Sequence, residues 1–568
     1  MNMDEKIDKL ISLAGNKHKY QIFCLILIFL LWVNCNFMAC VLPLLERKPI
    51  LYYYKSGDVK KENFTESLSY ELCDKLKNKE IVEWNRKVFN YSWISYYEIE
   101  CNKEKTGLIS SFTFVGNMFG ALFFAPMTKI VSHKNNVIIS TFGFSLSIFL
   151  LIIIKNFYVL LGLLVGVGTF GNFLCYSSLV LIEESVSHDR RSLYGNIVNI
   201  GYPFCGITYV ILFYFFENWK IVFYILIAFI FFICGLIWIF IYNSPRGAIE
   251  KRNKKEILKI LNGIAKFNNK HDYFENIENE EYQTIINEIC GQNENENDEK
   301  LIPNLSTENE NENENLSKKL INHETNENNN NSTENNNETL KNSKMQKITA
   351  ISLIKYSSIR YKFIILCYCW FTACGIYNGI SVASKNLEGN FYLIQIGLFI
   401  AESIAYFISG ILMEIKFLGR KRTIWGGFFI TIGCLLVLAL ISIPTLLYFF
   451  LDLLSRFCIS AVHTIFYTYS LEIYPTPVRT IGFGINATFG QIGGIVFPML
   501  VELFEEYLCF LGYSCLIGVA VFLLFFLKET VGLPMKETID ELCKNVDFIE
   551  DEVKEKLVDD ENEENNKN

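Results

Sequence analysis

The sequence predicts an all-α membrane protein of about twelve transmembrane helices in two six-helix pseudo-repeats, 20–243 and 359–527. Three observations point there. Apolar residues arrive in blocks of about 20, the length at which an α-helix crosses about 30 Å of hydrocarbon. A Glu, seven residues on an Arg, and within one more turn a Gly is written twice: EESVSHDRRSLYG carries Glu184, Arg191 and Gly195, and LEIYPTPVRTIGFG carries Glu472, Arg479 and Gly482. Each copy lies between apolar segments. Repeats in a polytopic chain mark carriers whose solute site lies between the repeats near the bilayer midplane. Lys and Arg, finally, collect in alternate short loops.

In order, the spans fall at 20–43, 107–128, 136–155, 157–182, 193–216 and 220–243, then at 360–383, 391–413, 423–442, 444–470, 480–503 and 505–527. The chain has 568 residues, 51% of them hydrophobic, and a mean hydropathy of +0.24. At that length a soluble chain would instead divide into several domains. Lys17, Lys19, Lys129, Lys134, Arg190, Arg191, Lys416, Arg420, Lys421, Arg422 and Arg479 share one side of the membrane, against isolated Lys155, Lys220 and Lys385 on the other. The excess places the N-terminal 1–19 and the tail 528–568 in the cytosol. The first apolar run is long enough to span and lacks a small-residue cleavage site, so it reads as an anchor rather than a signal peptide.

Two soluble insertions interrupt the spans. The outside loop 44–106 holds Cys73 and Cys101, and the glycosylation sequons of Asn63 and Asn90. In an oxidising compartment Cys73 and Cys101 can form a disulfide; the alternative is two free thiols. The cytosolic loop 244–358 opens on an amphipathic stretch, KKEILKILNGIAKF, and passes into Asn/Glu-rich sequence at 291–345. That stretch cannot bury apolar surface and is expected to be disordered, as is the acidic tail after about 545. The net charge of −8 comes largely from these segments and gives no reason to expect a nucleic-acid partner.

Most of the 17 cysteines lie in the spans, as small apolar residues do. There is no zinc-spaced CxxC pair, no P-loop, no GxSxG and no HExxH, so neither an enzyme nor an ATP-driven pump is expected, and no metal or cofactor. His463 lies within a span, where a lone His more often satisfies a backbone group than relays protons. Glu402 sits deep in the eighth span, within LFIAESIAYF. A charge there costs at least about 2.5–3.5 kcal/mol, which marks it for function. Trp370 and Tyr377 are two turns apart on one face of the seventh span. Aromatic faces beside a carboxylate suit an organic cation. The competing readings are packing or an interfacial belt for the aromatics, and a helix–helix hydrogen bond for Glu402. At the cytosolic boundary, Glu184–Arg191 and Glu472–Arg479 can form charge-assisted bonds with the basic loops. Such bonds are weak at a wet boundary, as a gate that must part requires.

Several runs carry a resemblance. CWFTACGIYNGISVASKNLEGNFYLI (369–394) and SRFCISAVHTIFYTYSLEIYPTPVRTIGFGINATFGQIGGIVFPML (455–500) resemble the seventh helix, and the tenth and eleventh helices, of the organic ion transporter family of the major facilitator superfamily. NSPRGAIEKRNKKEILKILNGIAKFN (243–268) and FLKETVGLPMKETIDEL (526–542) are similar to that family's segments after its sixth and twelfth helices. MEIKFLGRKR (413–422) keeps the loop motif of the second half, with Glu414, Gly419, Arg420 and Lys421, whereas TKIVSHKNN (128–136) lacks the Asp and Gly of the first-half copy. The superfamily's helix-four Arg, tied to proton antiport, is replaced near Gly162.

The resemblance implies the major facilitator fold, substrate contacts at Trp370, Tyr377 and Glu402, and a charge selector at Gln491, where a neutral amide favours neither sign. It also turns Asn172 and Asn199 toward the same cavity, and adds Glu414 and Arg420 to the cytosolic gate. With Glu402 in place and no base matched to it, the expected solute is an organic cation first and a zwitterion second. The expected mechanism is alternating access, as facilitated diffusion through the plasma membrane. The alternatives are a sugar, polyol or organic anion porter, and a sensor that binds solute without moving it. The partners are the solute and the lipid bilayer; the oligomeric state is open.

Overall fold

The computed structural model describes residues 9–11, 19–46, 50–55, 58–63, 92–97, 99, 102–186, 194–195, 197–216, 218–250, 254–268, 286, 353–354, 357–384, 390–474 and 476–531. Cys73, Cys101, Asn90, Arg191, the segment 291–345 and the acidic tail after 545 lie outside them.

Among the described residues, twelve helices are long and apolar enough to cross a membrane. The first six are Lys19–Leu45, Lys103–Phe124, His133–Ile153, Phe157–Glu183, Ile197–Phe215 and Trp219–Phe240. The second six are Ile359–Ala383, Phe391–Leu412, Gly419–Leu440, Thr445–Ile473, Ile481–Leu503 and Glu506–Leu524. We refer to them as the first to the twelfth span. This is the expected six-plus-six order, with ends displaced by a few residues. Several starts are set by short polar side chains. Asn102, Ser132, Asn156, Asn218 and Asn390 each accept a hydrogen bond from an amide in the first turn that follows. Each satisfies a first-turn amide that the helix itself leaves without an acceptor.

Two spans depart from the expected continuous run, and the fifth does so at Ile200, where a turn precedes the helix Gly201–Phe215. The first is two helices, Lys19–Cys35 and Phe37–Leu45, joined at Asn36. Beside the break, Asn34 Oδ1 accepts the Tyr209 hydroxyl of the fifth span at 2.6 Å. Two strands, β1 (Ile50–Lys55) and β2 (Asp58–Asn63), pair antiparallel in the loop after this span, with Lys55 opposite Asp58 and the sequon residue Asn63 opposite Ile50.

Most buried residues group by half. In the second, Leu366, Ile376, Phe428, Ile465 and Ile517 belong to one buried cluster. In the first, the helix Lys254–Phe267 turns Ile257, Ile260, Leu261 and Ile264 inward, the 3–4 spacing of one helical face, into a cluster that includes Tyr20 and Leu27 of the first span. Lipid-facing side chains such as Phe142, Phe232, Phe407, Phe429 and Phe522 are more than half exposed.

The halves meet where the second span lies along the eleventh and the fifth along the eighth. The eighth span's Phe391 and Phe399 are buried in the first-half core. At the end from which loop 44–106 leaves, Ser111 donates to the Ile495 carbonyl at 2.9 Å, and the Tyr214 and Tyr392 rings meet edge-on at 5.5 Å. A Cβ on Gly107 would lie 3.4 Å from Met499 Cγ. The bundle is closed at that end. The opposite end, from which both chain termini leave, carries the basic loops.

Candidate functional site

A charge cannot sit alone between packed spans, so each intramembrane charge must find an opposite one or a set of donors. Glu402, 0% exposed, finds both. Its Oε1 accepts the hydroxyls of Tyr377 at 2.6 Å and Tyr406 at 2.8 Å. Its Oε2 accepts Nη2 of Arg456 at 3.1 Å, and the same Nη2 donates to the Tyr377 hydroxyl at 2.9 Å. Arg456 Nη1 donates to the Tyr377 carbonyl at 3.2 Å, and the guanidinium lies 4.1 Å from the Tyr377 ring centre. Spans seven, eight and ten are thereby tied at one point.

This corrects one expectation. The carboxylate is not without a base: Arg456, 2% exposed, is its ion-pair partner. The sequence carried a signal for it, since Arg456 in DLLSRFCIS is an intramembrane charge as conspicuous as Glu402. The pairing itself was hidden, because the two residues lie on different spans. The helix–helix hydrogen bonds held as the competing reading of Glu402 are present too.

Aromatic rings surround the pair. His463 stacks on Tyr377 at 5.5 Å with 12° between the planes, and meets Trp370 and Tyr467 edge-on at 5.8 and 5.3 Å. Trp370 also faces Tyr467 at 4.9 Å, and its Nε1 donates to Ser470 at 2.8 Å. From the first half, Tyr202 brings its ring to 6.3 Å from Tyr377. Trp370, Tyr377 and Glu402 belong to one cluster, with His463 between Trp370 and Tyr377. Gln491 follows Gly490, where a Cβ would lie 3.1 Å from the Trp370 ring, and its buried Oε1 has no hydrogen-bond partner. The two asparagines differ. Asn172 spends its amide on the Asn117 carbonyl, at 2.6 Å, fastening the fourth span to the second. Asn199 is half-buried and makes none of the contacts that knit the cluster.

The basic end has a different construction. Arg420, at the head of the ninth span, donates to Glu472 at 3.0 Å, to Glu414 at 3.4 Å and to the Met413 carbonyl at 2.7 Å. The second oxygen of Glu472 accepts the Thr530 hydroxyl at 2.5 Å. Glu529 accepts the amides of Arg420 and Lys421 at 2.9 and 3.0 Å, so a carboxylate caps the positive end of the ninth span. Lys421 Nζ returns to the Phe525 and Leu527 carbonyls that end the twelfth.

The first half repeats part of this. Lys134, at the head of the third span, donates to the Trp238 carbonyl near the end of the sixth at 3.0 Å, as Lys421 does. His133 stands where Arg420 stands, with Nε2 3.8 Å from Glu184. In the second repeat Glu472 reaches the basic loop, and Arg479 does not pair with it. Arg479 donates to the Tyr474 carbonyl at 3.3 Å, and Glu472 pairs with Arg420 instead. Half-burial outside the spans holds the Arg479 guanidinium below its ordinary pKa.

The comparisons agree with this architecture. The model of the Major Facilitator Superfamily matches residues 84–498. The organic cation/carnitine transporter 2 of Rattus norvegicus is 25% identical over 474 residues, covering 81% of this chain and 73% of that protein. The Homo sapiens protein of the same name is 24% identical over 473 residues, with the same coverage. Among solved structures, the inward-open xylose transporter XylE from E. coli superposes with a TM-score of 0.56 at 12% identity, over 91% of this chain and 98% of that one. At that identity the likeness concerns the fold alone.

Proposed function

Because this chain belongs to the major facilitator superfamily, and within it to the organic ion transporter family, we propose that it carries a small organic ammonium solute, cation or zwitterion, across the plasma membrane. The movement is alternating access of two six-helix halves about the site between them, with both termini in the cytosol. The observation that carries the solute class is the buried Glu402, held by Tyr377, Tyr406 and Arg456 and ringed by Trp370, His463, Tyr467 and Tyr202. Aromatic faces stabilise an alkylammonium through their π-clouds, and Glu402 supplies the counter-charge.

Arg456 refines the reading. A zwitterion can offer its ammonium to Glu402 and its carboxylate to Arg456, replacing the internal ion pair with two intermolecular ones. A cation must compete with Arg456 for the same oxygens. The unpartnered Gln491 amide oxygen is an acceptor available to an N–H or hydroxyl of the solute. At the basic end, Glu414, Arg420 and Glu472, with Glu184 and Arg479, form contacts that loosen and reform as that end opens and closes; Arg191 is assigned to the same gate from its place in the repeat.

The test is uptake by purified protein in liposomes of labelled tetraethylammonium, carnitine, p-aminohippurate and inositol. Tetraethylammonium and carnitine are expected to enter and to compete with each other. Entry of inositol or p-aminohippurate alone would overturn the solute class. Saturable binding without entry of any of them would make the protein a sensor.

A further inference from the structure

The site described above leaves one carboxylate unused. Asp452 lies on the tenth span one turn before Arg456, is 2% exposed, and has an Oδ2 with no hydrogen-bond partner. The ionisable groups around it are Arg456 and Tyr448, a turn away on either side of its own span, Glu506 at the head of the twelfth and Cys434 of the ninth. Glu506 accepts the Tyr448 hydroxyl. Arg456 has both terminal nitrogens engaged by Glu402 and Tyr377, while its Nε has no partner. One guanidinium thus stands near two buried carboxylates and is committed to one of them. An ionised carboxylate without a counter-charge is costly inside a membrane, and protonation removes that cost.

We propose that Asp452 is a proton site that couples solute movement to proton exchange: it holds a proton while Arg456 is bound to Glu402, and releases it when an organic cation takes Glu402 and Arg456 turns to Asp452. The inference rests on the reading of Glu402 as the solute's partner. Residues four apart on a helix face each other, so Arg456 reaches either carboxylate by a change of rotamer.

The charges balance. Before binding, Asp452 is a neutral acid and Glu402 and Arg456 cancel. After binding, the solute cation cancels Glu402, Arg456 cancels the Asp452 carboxylate, and the proton leaves to water on the side from which the cation came. On the far side the cation departs, Arg456 returns to Glu402 and Asp452 takes a proton from that side. One cation is exchanged for one proton with no net charge moved. This goes beyond facilitated diffusion, and it places the coupling in the second half, away from the helix-four position near Gly162. A zwitterion that satisfies both Glu402 and Arg456 leaves Asp452 protonated, so its movement is not coupled.

The experiment uses the full-length protein in liposomes, with radiolabelled tetraethylammonium and a pH dye inside. With the lumen one pH unit more acidic than the bath, cation accumulation is expected to rise about tenfold. The lumen should become alkaline as the cation enters, and a potassium diffusion potential should change nothing. Asp452→Asn is expected to keep uptake, lose the response to pH, and accumulate the cation with potential instead, by roughly 50-fold per 100 mV. Asp452→Glu should stay proton-coupled.

Wild-type uptake that follows potential and ignores the pH gradient would overturn the proposal, as would an Asp452→Asn variant that still exchanges protons. Carnitine uptake driven by the same pH gradient would overturn the arginine swap. If Asp452→Asn is not inserted, the wild-type arms decide alone. Wild-type protein that takes up no tetraethylammonium under any gradient overturns the reading of Glu402, and this inference with it.

Discussion

Arg456 and Glu402 constrain each other more tightly than either constrains the solute. Removing one member of a buried ion pair strands the other, at a cost of about 3–5 kcal/mol, whereas removing both is far milder. Glu402→Gln is therefore expected to lower the melting temperature in detergent and abolish cation uptake. Glu402→Gln with Arg456→Gln should regain most of the melting temperature without regaining uptake. Equal melting temperatures for the single and double variants would show that the pair is not stabilising in this sense. Gln491 carries the second prediction at this scale. Gln491→Asp should lower the concentration of tetraethylammonium needed for half-maximal uptake, and Gln491→Arg should raise it and admit organic anions, because a charge acts strongly at short range in a low-dielectric site. Uptake must be normalised to surface protein in each case. If well-expressed Gln491→Arg protein keeps wild-type cation uptake, Gln491 does not face the solute. At this scale the sequence was legible where residues share a helix: the two-turn spacing of Trp370 and Tyr377 put both beside His463. Contacts between helices were not legible. Glu402 finds Arg456 54 residues away, and Asn172 is held by Asn117 from another span.

The elements are joined by their ends. The ninth span begins at Gly419, whose φ of 65° lies in the left-handed region open to glycine, and which leaves room for the Glu529 carboxylate 2.6 Å from where a Cβ would sit. Glu529 then accepts two amides of the first turn, and Lys421 accompanies it by donating to the end of the twelfth span. Glu529→Gln keeps the shape and removes the charge. It is expected to cost about 1–2 kcal/mol, as charged caps do in partly buried geometry, and to slow turnover more than solute binding, since the latch lies far from Glu402. Thermal melts, with binding measured beside uptake rates, check this; unchanged turnover would show that the cap is structural only. The first-half counterpart is built with less charge, a His133 facing Glu184 where the second half has Arg420 facing Glu472. That asymmetry was visible in the sequence as a departure from motif. Its consequence, which residue stands opposite which, required the fold.

For the molecule as a whole, the close approach of Gly107 to Met499 defines the closed end. Alternating access requires that end to open once per cycle. Gly107→Cys with Met499→Cys is expected to form a disulfide under mild oxidation, to arrest uptake, and to recover with reductant. Each single variant should stay active under the same oxidant. Full activity of a demonstrably crosslinked protein would mean that this end does not part.

The sequence by itself determined the twelve spans, the two halves and the family. These follow from hydrophobic length, from a motif written once in each half and from local runs, all of which are read along one dimension. It also marked Glu402, because a charge within about twenty apolar residues stands out; Arg456 and Asp452 in DLLSRFCIS carry the same signal, and their roles emerged only with the fold. Only the tertiary structure decided how those residues are spent. Glu402 is neutralised by Arg456, Glu472 by Arg420 rather than Arg479, and Asp452 is left with an oxygen that has no partner. The reason is physical: inside a membrane a charge must be answered across helices, and which helices stand side by side is set by packing of the whole bundle, not by order along the chain.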